Sequence, residues 1–198
     1  MKRFLLSITV FCFALSFGQK PQPSLGIDVV SVTPMGDNYL KDGVKNFFGF
    51  GLTFQTVFKR NMGFGLELSQ AFSEVKNKSV YGDLEKPQLT NFSAYFLYKY
   101  PFKNGLNVQG QIGAGIMRLS NLSQYVDDDY RETAAGFLLG TEISYKFPKN
   151  KIVEVFASPK IYFYNSQIKF DDSDLSRYYS RSQLLYINVG VRLNLNEK

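Results

Sequence analysis

NFFGFGLTFQTVFKRNMGFGLELSQAFS, residues 46–73, decides the fold. Taken two residues at a time, it separates into two faces. Phe48, Phe50, Leu52, Phe54 and Phe58 fall on one side of its first half, with Gly49, Gly51, Thr53 and Gln55 on the other. After Lys59 to Asn61 the alternation resumes, with Phe64, Leu66, Leu68 and Phe72 against Gly65, Glu67, Ser69 and Ala71. A period of two belongs to a strand, whose successive side chains point to opposite faces. Two such runs joined by a short polar break form a hairpin.

The same alternation recurs in both directions along the chain. It predicts strands over Ser24 to Met35, Asn46 to Phe58, Met62 to Ser73, Gln88 to Phe102, Gly105 to Leu119, Thr133 to Phe147, Lys151 to Tyr164 and Ser182 to Leu195. No apolar stripe of helical period interrupts them. Pro159 sits inside the seventh run; it has no N–H to donate, so a bulge or local break is expected there. The connections alternate in length. Four long ones (35–45, 74–87, 120–132 and 165–181) interleave with three short ones (59–61, 103–104 and 148–150). Both chain ends then fall on the side of the short turns. Long loops at one end and tight turns at the other are the rhythm of an up-and-down transmembrane barrel, and each run exceeds the 9–11 residues that a tilted spanning strand needs.

Residues 1–18 read as a secretory signal. Lys2 and Arg3 precede an apolar stretch from Phe4 to Phe17, and Ser16-Phe17-Gly18 sets small residues before Gln19. The barrel domain is then 19–198. The only cysteine, Cys12, lies within the signal after the bulky Phe11, which argues against a lipid anchor and leaves no thiol for a disulfide or for catalysis.

A soluble eight-stranded barrel turns its apolar face inward and shows water a surface rich in Lys and Glu. Here the polar face is mostly Gly, Ser, Asn, Gln and Thr, which suits a crowded lumen. The chain holds 19 Phe and 13 Tyr, and only 20% of its residues are charged. Aromatic residues gather beside the short turns: Phe58 and Phe64, Tyr100 and Phe102, Tyr145 and Phe147. Such rings favour a membrane–water interface. In lipid every backbone N–H and C=O must be paired, and a closed sheet leaves no edge.

These alternating strands, the segment Gly63-Phe64-Gly65-Leu66-Glu67-Leu68 and the signal ending Ser-Phe-Gly-Gln resemble the small outer-membrane β-barrels of OmpA/OmpX-like architecture, in the Gly- and aromatic-rich form common in Bacteroidota. The resemblance covers residues 19–198 and is one of pattern. It implies an all-β, eight-stranded antiparallel up-and-down transmembrane β-barrel in the outer membrane, with short periplasmic turns and longer extracellular loops. Such barrels usually end in an aromatic residue; this chain ends Leu193-Asn194-Leu195-Asn196-Glu197-Lys198.

Eight strands enclose an interior that side chains just fill, so a wide pore is not expected. The inner face carries a candidate lumen charge network of Glu67, Lys99, Glu142, Glu154, Lys160 and Arg192, with Asp28 and Lys146 on the same face. Catalysis is not expected. The sequence has no His, which removes Ser-His-acid sites and the commonest metal ligand. Asp127-Asp128-Asp129 and Asp171-Asp172-Ser173-Asp174 hold oxygen ligands for Ca²⁺ but lack an ordered spacing, so they read as solvated loop charge and neither metal nor cofactor is expected.

The basic residues Lys59, Arg60, Lys103, Lys149 and Lys151 lie at the short turns and suit headgroups rather than nucleic acid. The partners expected are outer-membrane lipid, lipopolysaccharide and proteins meeting the four long loops, with Tyr125, Tyr130, Tyr178 and Tyr179 as contact points. The reading is therefore a structural or surface-interaction barrel. Its alternative is a narrow gated conduit using the lumenal ion pairs. A lipid-modifying enzyme is a distant third.

Overall fold

The computed structural model describes residues 21–58, 60–123, 130–147 and 150–195. Eight strands run β1 (Gln22–Met35), β2 (Phe47–Val57), β3 (Met62–Phe72), β4 (Leu84–Pro101), β5 (Leu106–Ser123), β6 (Tyr130–Phe147), β7 (Asn150–Ser166) and β8 (Arg181–Asn194). Each is antiparallel to the next. β1 also pairs with β8, so the sheet closes into an up-and-down barrel in chain order. The hairpin read from residues 46–73 is β2–β3, in register from Phe48↔Phe72 to Val57↔Gly63. Closure leaves no unpaired edge, as a wall standing in lipid requires.

The alternation predicted for the wall is present. Ile27, Val29, Phe50, Phe64, Phe92, Phe96, Ile112, Phe137 and Val189 face outward and are exposed, whereas Asn91, Ser93, Gln109, Glu142, Ser158 and Arg192 face inward and are buried. At the tight turns the aromatic neighbours touch. Ring centroids are 6.1 Å apart for Phe58–Phe64, 4.9 Å for Tyr100–Phe102 and 5.3 Å for Tyr145–Phe147. Asn61 and Asn104 turn the chain with positive φ, a conformation Asn tolerates better than most residues.

Pro159 produces a local break without a bulge. The β6–β7 ladder stops after Gly140↔Lys160 and resumes in the same register at Ile143↔Ala157. Pro159 stands opposite Thr141 and has no N–H for its carbonyl. The Ser158 hydroxyl donates to that carbonyl instead, at 3.0 Å. A carbonyl left bare in the wall would cost several kcal/mol in lipid. True register shifts occur elsewhere, near Lys86 on β4 and beyond Lys146 on β6.

Three expectations need correction. The expected long connection 120–132 is short: β5 runs on to Ser123 and β6 starts at Tyr130, leaving only 124–129 between them. The long connections are also not plain loop, because three short helices occupy them: α1 (Tyr39–Gly43), α2 (Lys78–Tyr81) and α3 (Ser173–Ser180). Finally, the inner face is polar only in part. Towards the long-loop end it carries Val30, Val32, Phe47, Leu89, Met117, Leu119, Leu138 and Leu184, all buried. The lumen thus holds a polar, charged half near the tight turns and an apolar half beneath the helices.

Candidate functional site

Six predicted charges lie in the lumen as three ion pairs. Arg192 on β8 meets Glu142 on β6 through both carboxylate oxygens, at 2.6 and 2.8 Å. Lys160 on β7 pairs with Glu67 on β3. Lys99 on β4 pairs with Glu154 on β7 at 2.7 Å. None of the three joins neighbouring strands: Arg192–Glu142 reaches past β7, Lys99–Glu154 past β5 and β6, and Lys160–Glu67 joins opposite walls of the lumen. A cation and a carboxylate this deep are tolerable only when paired and further hydrogen-bonded.

The further bonds are present. Gln55 and Gln111 donate to Glu142 at 3.2 and 3.3 Å, and Gln55 also donates to the Tyr95 hydroxyl at 3.0 Å. Asn188 donates to Glu67 at 3.3 Å and to Asp28 at 2.8 Å. Ser144 donates to Glu154. The Arg192 guanidinium lies over the Phe156 ring at 4.3 Å, and the Lys160 ammonium over Tyr95 at 5.2 Å. Glycine makes the room. A Cβ at Gly140, directly opposite Lys160 in the β6–β7 register, would sit 2.7 Å from the Lys160 stem. A Cβ at Gly51 would sit 2.5 Å from the Asp28 carboxylate.

Above the ion pairs is a polar tyrosine layer. Tyr164 donates to Asn91 at 2.5 Å, Tyr162 and Ser93 share a bond of 3.1 Å, and Tyr162 stacks on Tyr164. The apolar layer follows, and then a lid. Leu40 is fully buried, and Tyr39 stacks between Tyr81 of α2 and Tyr179 of α3, with centroids 6.0 and 5.4 Å away. Polar atoms fasten this stack. Tyr39 donates to Glu132 on β6, Tyr81 to Asn121 on β5 at 2.8 Å, and Tyr178 to Asp42 of α1 at 2.9 Å. Burial and then the bond to Asp42 push the Tyr178 phenol up to about 12.

Tyr178 and Tyr179 are therefore half-buried and turned into the lid, not presented at loop tips. Asp172 has a local task as the N-cap of α3, accepting from Asp174 N and Leu175 N at 2.7 and 3.3 Å. Lys146 is half-buried where the lumen meets the tight turns. Among the described residues no group of three or more His, Cys, Asp and Glu is placed to hold a metal ion. The signal segment, Asp127-Asp128-Asp129, Tyr125, Lys59 and Lys149 lie outside the described residues, as do the side chains of Tyr130 and Lys151.

Known proteins agree with the architecture. Residues 4–155 match a family model described as "Outer membrane protein beta-barrel domain". No curated protein matches the chain. Among solved structures it is similar to Neisserial surface protein A (12% identity, 89% of this chain and 99% of that one, TM-score 0.64). It is also similar to Ail, the attachment invasion locus protein of Yersinia pestis (14%, 88% and 98%, TM-score 0.56). OprG of Pseudomonas aeruginosa is a third (11%, 90% and 98%, TM-score 0.57). At these identities the three share the fold. With more than half of its length matched by the family model, the chain belongs to the outer membrane protein beta-barrel domain family.

Proposed function

We propose that the protein is a closed, non-catalytic platform in the outer membrane, exported by the signal at residues 1–18, whose barrel supports the face formed by its extracellular loops and helices. The observation that carries this reading is the filling of the lumen from end to end. Three ion pairs occupy one half, while apolar side chains and an aromatic lid occupy the other. A conduit needs a polar path through the apolar half, and Val32, Phe47, Leu119 and Leu184 stand across it. Catalysis is disfavoured because the chain has no His and the lumenal carboxylates Glu67, Glu142 and Glu154 are each held by a cation. The partners of the platform are lipid along the wall and proteins or glycolipid at the loop face.

Swelling of proteoliposomes in an isotonic small sugar tests this. A platform leaves the swelling rate at that of protein-free vesicles. Swelling that rises with protein content and changes on Glu67→Gln would favour the gated conduit.

A further inference from the structure

The outer wall is not uniform around its extracellular rim. On β4, β5 and β6 the outward residues just above the apolar band form two rows across the strands. Thr90, Arg118 and Thr133 make the lower row, and Gln88, Ser120 and Arg131 the upper. The row beneath them is Phe92, Ile116 and Ala135. Arg118 and Arg131 are exposed, and between them lies one diagonal step of the sheet, about 7–8 Å between backbones. All six side chains can donate hydrogen bonds and none is an acid; Arg131 also engages a further partner, and Glu85 beside Lys86 on the β4 bulge brings one carboxylate into this sector. Lys86, exposed on the β4 bulge, adds a third cation to this sector.

The adjoining β2–β3 sector differs. There Phe48 and Phe72 remain exposed up to the ends of β2 and β3, and Phe72 stands opposite Gln88 at the border of the patch. Depth fixes the meaning of the β4–β6 patch. From Leu106 to Ile116 the outward face of β5 is apolar or small, and ten residues at about 3.3 Å with a tilt near 40° rise about 25 Å, the height of the lipid-facing band. Arg118 is the next outward residue, so its guanidinium stands at headgroup level on the extracellular side. A guanidinium matches a phosphate with two parallel hydrogen bonds, and two of them beside three hydroxyls match one phosphate group more closely than diffuse surface charge does.

We infer that the outer wall of β4–β6 at the extracellular rim, centred on Arg118 and Arg131, is a binding site for the phosphate of an outer-leaflet lipid headgroup. The inference rests on the outer-membrane orientation of the platform reading and adds to it a fixed lipid partner on one sector of the wall.

The test is native mass spectrometry of the full barrel in neutral detergent, with monophosphoryl lipid A and the same lipid without its phosphate as probes. The wild-type protein should retain the phosphorylated lipid, and Arg118→Gln with Arg131→Gln should weaken retention about tenfold or more, since two charge-assisted contacts to the phosphate are lost. Arg118→Lys with Arg131→Lys should keep part of it, and Arg181→Gln, on β8, should change nothing. Heat-modifiable gel mobility confirms that each variant is folded. Equal retention by the Gln variant, or no preference for the phosphorylated lipid over the phosphate-free one, overturns the site. These substitutions leave the lumen and loops intact, so this failure is separate from that of the platform reading, which conductance tests.

Discussion

Arg192 and Glu142 meet inside the lumen with β7 between their strands, and the guanidinium reaches both carboxylate oxygens at 2.6 and 2.8 Å. Arg192 is 1% exposed. The pair ties together two strands of the wall that share no backbone hydrogen bonds.

Breaking that pair from one side leaves a buried charge without compensation. Arg192→Met should destabilise the barrel by about 3–5 kcal/mol, the usual cost of orphaning a buried ion. Arg192→Met with Glu142→Gln should recover a large part of it, because the orphaned charge goes too. Urea unfolding in vesicles, followed by gel mobility, measures both. Equal losses in the single and double variants would show that packing rather than charge pairing holds this level of the lumen.

The second prediction concerns the wall. Ser158→Ala removes the donor that serves the Thr141 carbonyl in place of the missing Pro159 N–H. It should cost about 1–3 kcal/mol, the penalty for leaving one buried acceptor unpaired. Adding Pro159→Ala restores an N–H at the opposing position and should return most of the loss. The same unfolding assay reads the result. A Ser158→Ala barrel as stable as wild type would mean the carbonyl finds another partner.

The lid gives a prediction in pH. The Tyr178 phenol is raised from 10.0 to about 12 by burial and by its bond to Asp42. A raised folded-state value means the folded chain holds the proton more tightly than the unfolded chain. The contribution of this contact is therefore complete below about pH 10 and is lost as pH rises towards 12. Ultraviolet titration at the phenolate band should show that Tyr178→Phe removes one ionisation near pH 12. It should also leave α3 more open to protease at neutral pH. Loss of an ionisation near pH 10 instead would place the Tyr178 hydroxyl in water.

The barrel was legible in the sequence because alternation is local. Phe48, Phe50 and Leu52 announce their face without reference to any other strand, and hairpin order follows from chain order. The lid was not. α1 and α2 span five and four residues, too short for a helical period, and Tyr39, Leu40 and Tyr81 look like ordinary loop residues until three connections converge above one mouth. A signal was present in the caps: Asn38, Asn77 and Asp172 each precede a helix and accept from its first N–H groups. The inner face named the charged residues but not their partners. Glu67 with Lys160, Glu142 with Arg192 and Glu154 with Lys99 join strands that are not neighbours, and only barrel closure and strand stagger bring them together.

Single-protein recording in planar bilayers tests the filled lumen most directly. The wild-type barrel, shown to be folded by heat-modifiable mobility, should pass no steady current. Deleting the α3 segment 169–180 should leave it silent, because the apolar layer and the three ion pairs remain. Stable unitary currents in the wild type, altered by Arg192→Gln or Glu67→Gln, would contradict the closed platform and make the ion pairs a gate.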